Sequence, residues 1–122
     1  MLLDSVIIID HFNGLDIATD FIKQQHESAC ISAITRTEVL TGMTSSKHFQ
    51  EAQLFLNHFR LIPIDADIAD LAARLRKTYR WKTPDAIQAA CAINSNNPLA
   101  TRNTKDFQPE RHEFVHIPYQ LN

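Results

Sequence analysis

Residues 83–100 of the chain read TPDAIQAACAINSNNPLA and predict a helix followed directly by a strand. Thr83-Pro84 is typical of a helix start, because proline is tolerated in a first turn whose N–H groups have no intrahelical partner. The alanine-rich run that follows predicts a helix ending near the polar residues 94–98, and Leu99-Ala100 predicts a short strand. A helix that leads into a short buried strand is a repeating unit of α/β folds.

The same alternation of helical and β-type runs extends over the rest of the chain. Apolar residues at helical spacing predict helices over Asp16–Gln25, Thr35–Leu40, Phe49–Phe59 and Asp67–Tyr79. Short apolar runs predict strands at Ala29–Ile34, Leu61–Ile64 and Phe114–Ile117. Short strands separated by helices suit crossover connections rather than hairpins. The predicted fold is a single α/β domain over residues 1–122, an α/β/α sandwich with a central parallel sheet of about four to five short strands.

The first nine residues allow two interpretations. Val6-Ile7-Ile8-Ile9 is β-branched throughout, so propensity alone favours one strand over Leu2–Ile9. Alternatively, the strand ends near Asp4 and Ser5 caps a short helix. The hydrophobic pattern does not distinguish the two.

Composition excludes several classes of protein. The 122 residues are 44% hydrophobic, which suits one globular core and excludes a disordered chain. No apolar run approaches the ~20 residues that span a bilayer, and the N-terminus lacks the basic region of a secretory signal. Cys30 and Cys91 lie in apolar runs, so we expect free thiols in a cytoplasmic protein. The net charge of −2 means that any nucleic-acid binding must be local.

Other motifs give weaker signals. The six His residues show no zinc-ligand spacing with the cysteines, and the two glycines do not form a phosphate-binding loop. Asp65-Ala66-Asp67 has the Asp-x-Asp form of aspartyl-phosphate phosphatases, but helix capping explains it better.

Four acidic residues follow predicted strands or open predicted helices: Asp4, Glu38, Asp85 and Asp106. In open α/β sheets, ligands bind beyond the carboxyl ends of the strands, so these side chains could gather at one edge. Converging carboxylates repel one another and generally need a cation. Oxygen ligands of this kind favour Mg²⁺ or Mn²⁺ over zinc.

Each acid also has a purely structural interpretation. Asp4 and Asp106 could be turn or cap residues, and Glu38 could complete a Thr-x-x-Glu capping box with Thr35. Asp85 fits a helix first turn, where the helix dipole favours negative charge. For Asp85 the structural and functional interpretations are compatible.

Four sequence blocks follow one another between Leu2 and Phe107. They are Leu3-Asp4-Ser5 with Ile8-Ile9-Asp10; Ile31-Ser32-x-x-Thr35-x-x-Glu38-Val39-x-x-Gly42; Asp85-Ala86-x-x-Ala89-Ala90-x-Ala92; and Ala100-Thr101-x-Asn103-x-x-Asp106-Phe107. In this order and at these separations they resemble PIN-domain proteins of the VapC toxin type. Val6 departs from the family, which often has a polar residue there, and Asn103 stands where some members carry another acid.

The resemblance implies a metal-dependent endoribonuclease that uses Mg²⁺ or Mn²⁺. Such proteins are often the toxin half of a bacterial toxin–antitoxin pair, and they are typically homodimers silenced by a small antitoxin protein. The implied metal-site acids are Asp4, Glu38, Asp85 and Asp106, and the implied supporting polar residues are Ser5, Thr101 and Asn103. The resemblance also implies that the first strand ends near Asp4, with a short helix over Val6–Phe12.

Contacts to RNA would come from basic residues near the acids. Arg36 and Arg102 lie in the motif segments, and Arg80 and Lys82 lead up to Asp85. The other basic residues of that region are more typical of a solvated helix face. Trp81 could stack on a base, although a lone aromatic beside a helix end is more often a packing anchor.

Two other functions remain open at this level. A PIN-like binding or scaffold module with a degenerate metal site is one, although such a module has no need to retain four mutually repelling acids. A metal-dependent DNA nuclease of related fold is the other, and the sequence does not separate it from an enzyme that cleaves RNA.

Overall fold

All strands of the fold are two or three residues long and lie parallel in one sheet. The structure is a computed structural model that describes residues Met1 to Leu121, and over these residues it has five strands in the order β3-β2-β1-β4-β5. The strands are β1 (Leu2–Leu3), β2 (Cys30–Ser32), β3 (Arg60–Ile62), β4 (Leu99–Ala100) and β5 (Val115–His116). The predicted α/β fold with a central parallel sheet is confirmed.

The connections from β1 through to β4 are helical, as is usual between parallel strands, whereas β4 and β5 are joined by turns alone. The helices of residues 1–121 are α1 (Ser5–Phe12), α2 (Asp16–Gln25), α3 (Ala33–Thr41), α4 (Ser46–Leu56), α5 (Ala66–Tyr79) and α6 (Thr83–Ser95). None of them is long and apolar enough to cross a membrane. Residues 83–100 thus form α6 and β4, as their pattern predicts.

Successive residues of β1 and of β4 place their side chains in two separate apolar layers, one on each face of the sheet. Leu2 and Leu99 pack with the buried residues of α5 and α6 on one face. Leu3 and Ala100 pack with those of α1, α2, α3 and α4 on the other. This alternation follows from the period of two in a strand, and it buries the sheet on both faces.

The first strand ends early, as the resemblance implies. Asp4 is the N-cap of α1, and one of its carboxylate oxygens accepts a hydrogen bond from the Ser5 backbone N–H at 2.8 Å. The expectation that Ser5 caps the helix is therefore wrong by one residue. Ile7 and Ile8 are fully buried in the second apolar layer, and this packing outweighs the β propensity of the run.

The capping-box interpretation of Glu38 is also wrong. Helix α3 begins at Ala33, and its N-cap is Ser32, whose hydroxyl accepts from the Thr35 N–H at 3.2 Å. Thr35 is therefore inside the first turn, and Glu38 lies beyond any position that a capping side chain occupies. The cap prediction at Asp65 is confirmed, because its side chain accepts from the Ile68 N–H.

Candidate active site

Asp4 lies at the carboxyl end of β1, and hydrogen bonds hold both of its carboxylate oxygens. It is 9% exposed, and beyond the Ser5 N–H it accepts a hydrogen bond from the Thr101 hydroxyl at 2.6 Å and one from Gln88 Nε2 at 3.0 Å. Thr101 follows β4, the neighbour of β1 in the sheet. The parallel pairing of these two strands therefore fixes the carboxylate at the carboxyl edge of the sheet.

Gln88 is a residue that sequence reasoning missed. Its side chain is 2% exposed, its Nε2 donates to Asp4 and to the Thr35 hydroxyl, and its Oε1 accepts from the Ser32 hydroxyl. Because a carboxylate can only accept, the amide group must present its nitrogen to Asp4. The signal available in the sequence was a single polar residue on the apolar face of α6.

Glu38 is exposed on α3 and reaches across to the first turn of α1. One of its carboxylate oxygens accepts a hydrogen bond from the Ser5 hydroxyl at 2.9 Å. Ser5 also provides the backbone N–H that binds Asp4, so one residue contacts two of the predicted acids. The structure thus brings Asp4, Ser5 and Glu38 together.

Asp106 and Asn103 form a local pair in the segment after β4. Asn103 Nδ2 donates to an Asp106 carboxylate oxygen at 3.1 Å, and the Asp106 N–H donates to Asn103 Oδ1 at 3.3 Å. The Asn103 N–H in turn donates to the hydroxyl of Thr101, the residue that binds Asp4. The three predicted residues of this segment are therefore linked to the first strand.

Asp85 lies half-buried in the first turn of α6, facing the other acids. Burial raises the pKa of this carboxyl, and the negative charges of Asp106, Asp4 and Glu38 raise it further, to about 6. Lys82 lowers it, but less. Four segments that are distant in sequence thus place their acids within electrostatic range of one another.

The arrangement fits a divalent cation by charge and by donor chemistry. The side chains offer only oxygen donors, and a hard cation would relieve the repulsion that raises the Asp85 pKa. The acids do not form a closed ligand cage by themselves: within residues 1–121 no three His, Cys, Asp or Glu side chains approach closely enough to share an ion.

The predicted RNA contacts fall into two groups. Arg80 and Lys82 are exposed in the short connection between α5 and α6, and Arg36 is half-buried on α3. Arg102, by contrast, forms a two-pronged ion pair with buried Asp10, with its Nε and Nη2 at 2.7 and 2.9 Å from the carboxylate oxygens. The Arg102 guanidinium is thus already paired within the chain, and its role as an RNA contact stays a prediction.

Asp10, like Gln88, has a role that the sequence did not reveal. Besides Arg102, it accepts a hydrogen bond from the Tyr119 hydroxyl at 2.8 Å. Burial by itself would raise the Asp10 pKa, but the hydrogen bonds from Arg102 and Tyr119 outweigh burial, and the pKa is lowered. We call Asp10, Arg102 and Tyr119 the clasp, because they join α1, the segment after β4 and the C-terminal segment.

The family of this chain follows from its match to a known domain. A family model described as PIN domain matches residues 1–109, which include all four acids and the segments that hold them. The chain belongs to the PIN domain family. The resemblance carried by the four sequence blocks is thereby confirmed.

Relatives of this PIN domain include a ribonuclease and toxin–antitoxin complexes. A toxin–antitoxin complex from Klebsiella pneumoniae contains a chain that is 37% identical, with a TM-score of 0.91 and 98% of both chains covered. Ribonuclease VapC1 of Methanocaldococcus jannaschii is 27% identical over 113 residues, which are 88% of this chain and 79% of that protein. FitAcB of Neisseria gonorrhoeae is 23% identical with a TM-score of 0.79 and 96% of both chains covered, and it supports the fold.

Proposed function

We propose that this PIN domain is a divalent-metal-dependent endoribonuclease and the toxin of a toxin–antitoxin pair. The observation that carries the proposal is a hydrogen-bonded chain at the carboxyl edge of the sheet: Ser5 contacts both Asp4 and Glu38, and Thr101 links Asp4 to the Asn103–Asp106 pair. The charges of these acids also raise the pKa of the Asp85 carboxyl. The similarity to a ribonuclease and to a chain of a toxin–antitoxin complex supports RNA as the substrate and an antitoxin protein as the partner. Because the proposed substrate is cellular RNA, we also propose that the protein acts in the cytoplasm.

The chain's own residues supply positions and charge. Asp4 and Asp85 would hold Mg²⁺ or Mn²⁺, with Glu38 and Asp106 completing the negative site. An ion held there would supply a water ligand of lowered pKa and would offset charge on the phosphodiester oxygens.

Supporting polar groups keep these acids in place. Gln88 and Thr101 fix both oxygens of Asp4, so that the carboxylate needs no reorganisation when the ion binds. The Ser5 hydroxyl donates a hydrogen bond to one carboxylate oxygen of Glu38, and the Asn103 side-chain amide donates one to a carboxylate oxygen of Asp106.

The partners proposed with this activity are a small antitoxin and a second copy of the chain. Large apolar side chains, including Ile9, Phe12, Phe49 and Leu54, are exposed on α1 and α4. Exposed apolar surface of this kind is typical of protein–protein contact. We propose that the antitoxin and the homodimer partner cover such surface.

The test is cleavage of RNA by purified protein. We expect cleavage of single-stranded or structured RNA with Mg²⁺ or Mn²⁺ and none with excess EDTA. Asp4→Asn and Asp85→Asn should each lower the rate by on the order of 10²-fold or more, because each removes a charge at the metal site. The matched control is Asp70→Asn, an exposed acid on α5, which should cleave at the wild-type rate.

Growth of a bacterial host provides the second readout of the same variants. Wild-type protein expressed alone should arrest growth, co-expression of a cognate antitoxin should relieve it, and Asp85→Asn should not arrest growth. Cleavage that persists in EDTA would contradict the metal-dependent mechanism. Binding of RNA without cleavage under any metal would favour the scaffold function instead.

A further inference from the structure

A groove lies directly beside the carboxylate site, on the side of Asp106. Its walls include Tyr79, Trp81, Lys105, Asp106, Arg111 and His112, and its volume is about 240 Å³. That is below the roughly 300–1,000 Å³ of pockets that enclose a drug-sized molecule, so the groove suits a single nucleotide-sized group. We call it the aromatic groove.

Two stacked rings, those of Tyr79 and Trp81, line this groove. The Tyr79 ring lies parallel to the Trp81 ring, with centroids 4.6 Å apart and planes 18° apart. Trp81 is 5% exposed, whereas Tyr79 is 42% exposed. The buried indole therefore supports a partly exposed tyrosine, whose ring is also in perpendicular contact with His112 at a centroid distance of 4.9 Å.

The Trp81 ring is fixed by contacts on its other sides. Phe107 and His112 meet it edge-on at centroid distances of 4.9 and 5.1 Å. Its indole N–H donates to the backbone carbonyl of Asp106 at 3.1 Å. The stacked pair is thus tied directly to the segment that carries a proposed metal ligand. The interpretation of Trp81 as a packing anchor is confirmed, and the exposed aromatic surface belongs to Tyr79.

The charge of the groove is suited to an anionic polymer. Lys105 and Arg111 are exposed along it, and Arg80 and Lys82 are exposed on either side of Trp81 in the sequence. Burial, with a smaller effect from Arg111, lowers the His112 pKa, so this ring is neutral at pH 7. Asp106 is the acid in the lining, and the two basic side chains Lys105 and Arg111 outnumber it.

We propose that the aromatic groove binds an unpaired nucleotide of the RNA substrate next to the cleavage site, with its base stacked on Tyr79 and its phosphates contacted by Lys105 and Arg111. The proposal rests on the proposed function and deepens it, since it names the strand that the site receives. An exposed ring beside basic side chains is the arrangement by which proteins bind single strands without reading their sequence. A base within a duplex has both faces covered, so this site selects unpaired RNA.

A binding experiment in EDTA separates this proposal from the question of catalysis. The probe is a 12-nucleotide single-stranded RNA with a fluorescent label, and its affinity is measured by anisotropy. Tyr79→Ala should bind about tenfold more weakly than wild type, within the range that a lost base–aromatic stack produces. The control is Tyr79→Phe, which keeps the ring and should bind within about twofold of wild type.

An abasic oligonucleotide of the same length distinguishes stacking from phosphate contact. The Tyr79→Ala effect should disappear with this probe, because there is no base left to stack. Lys105→Gln should weaken binding of both probes equally and should reduce the dependence of log affinity on log salt concentration by about one phosphate contact.

Turnover gives an independent readout with Mg²⁺ present. Tyr79→Ala should raise KM for the single-stranded RNA about tenfold and leave kcat within about threefold, because the ring binds substrate without touching the reacting phosphate. If Tyr79→Ala does not fold, as judged by thermal unfolding, Tyr79→Leu replaces it, since leucine covers Trp81 without an aromatic face.

The outcomes for the two proposals are distinct. Equal affinity of Tyr79→Ala and wild type, an equal loss with the abasic probe, or no measurable binding by wild type would each overturn the aromatic groove as an RNA site. A loss of antitoxin binding with unchanged RNA binding would overturn it too, and would assign the groove to a protein partner. A tenfold loss of RNA binding in a chain that cleaves no RNA would support the groove and remove the proposed nuclease.

Discussion

At the scale of single residues, Asp4 combines a structural and a chemical task in one side chain. It caps α1 through the Ser5 N–H, and it presents its carboxylate to the edge where the other acids converge. Because Gln88 and Thr101 bind the same carboxylate, its rotamer is fixed before any ligand arrives. Asn at this position keeps an oxygen for Ser5 and Gln88, and the Thr101 hydroxyl can accept from its amide N–H, so the loss would be mainly electrostatic.

Glu38→Gln is the sharpest single-residue test of the proposed site. A Gln carbonyl can still accept the hydrogen bond from Ser5, and α3 loses no cap because Ser32 provides it. We therefore expect a free energy of unfolding in EDTA within about 1 kcal/mol of wild type. Cleavage in Mg²⁺ should fall by on the order of 10²-fold, because a neutral amide is a poor substitute for a carboxylate beside a divalent ion.

The matched control for this change is Glu51→Gln, an exposed acid on α4, which should leave both quantities unchanged. Thermal unfolding and initial cleavage rates supply the two measurements. Wild-type cleavage by Glu38→Gln would remove Glu38 from the site, and the proposal would then rest on three acids.

The sequence and the family resemblance named the four acids and three of the residues that bind them, Ser5, Thr101 and Asn103, but not Gln88. Asp4 directly follows β1 and Asp85 lies in the first turn of α6, and these positions are visible in a linear pattern, whereas Glu38 lies inside α3. Gln88 binds a partner 84 positions away, which no local pattern encodes. Its burial could be inferred only after the register of β1 against β2 and β4 was known.

At the scale of elements, very short strands explain why propensity failed at the N-terminus. Strand β1 needs only two residues because it lies between the parallel strands β2 and β4, where both of its side chains are buried. The β-branched run after Asp4 then gains more from burial of Ile7 and Ile8 in a helix than a strand extension could supply. The family resemblance predicted this outcome correctly, whereas propensity alone favoured one strand over Leu2–Ile9.

The clasp connects three elements, and its contribution can be measured by substitutions at two of its members. Tyr119→Phe removes one hydrogen bond to buried Asp10 and should lower the free energy of unfolding by about 1–2 kcal/mol. Asp10→Ala should cost more, about 3 kcal/mol, because it leaves the Arg102 guanidinium and the Tyr119 hydroxyl without their acceptor. Urea unfolding at pH 7 measures both.

The other tyrosine is the control for these measurements, since Tyr79→Phe removes an exposed hydroxyl and should change stability by less than about 0.5 kcal/mol. The clasp also predicts a direction with pH. The folded-state pKa of Asp10 is lowered, so its stabilisation is present above its ordinary pKa near 3.8 and is lost as the pH falls below that value. Equal stability of Asp10→Ala and wild type at pH 7 would show that the clasp contributes nothing to the fold.

At the scale of the whole molecule, one sheet joins two apolar layers. Leu2 and Leu3 are adjacent in the chain and lie in different layers, so neither layer can come apart without the other. We propose that residues 1–122 form one domain that unfolds in a single transition. The fluorescence of Trp81, which lies in the first layer, should therefore follow the same curve as the helical signal of both layers.

The folded molecule also concentrates negative charge that the unfolded chain disperses. The pKa of Asp85 is about 6 in the fold and near 3.8 in the unfolded chain, so between these values the folded state binds more protons. In EDTA, the contribution of Asp85 to stability should therefore be present at about pH 4 and be lost as the pH rises through about 6. A shift of about two pKa units corresponds to at most about 3 kcal/mol, and for a half-buried group we expect about 1–2 kcal/mol.

Asp85→Asn tests this charge balance and the proposed metal site together. In EDTA the variant should match wild type near pH 4 and exceed it by about 1–2 kcal/mol at pH 7.5, because the amide carries no charge for the other acids to repel. Adding Mg²⁺ at pH 7.5 should then stabilise wild type, by about 2.7 kcal/mol at a concentration 100 times its Kd, and should leave Asp85→Asn nearly unchanged. Urea unfolding at several pH values, with Asp70→Asn as the control that follows wild type, measures all of these differences. If wild type and Asp85→Asn showed the same pH dependence and the same response to Mg²⁺, the four acids would not act as one charged site.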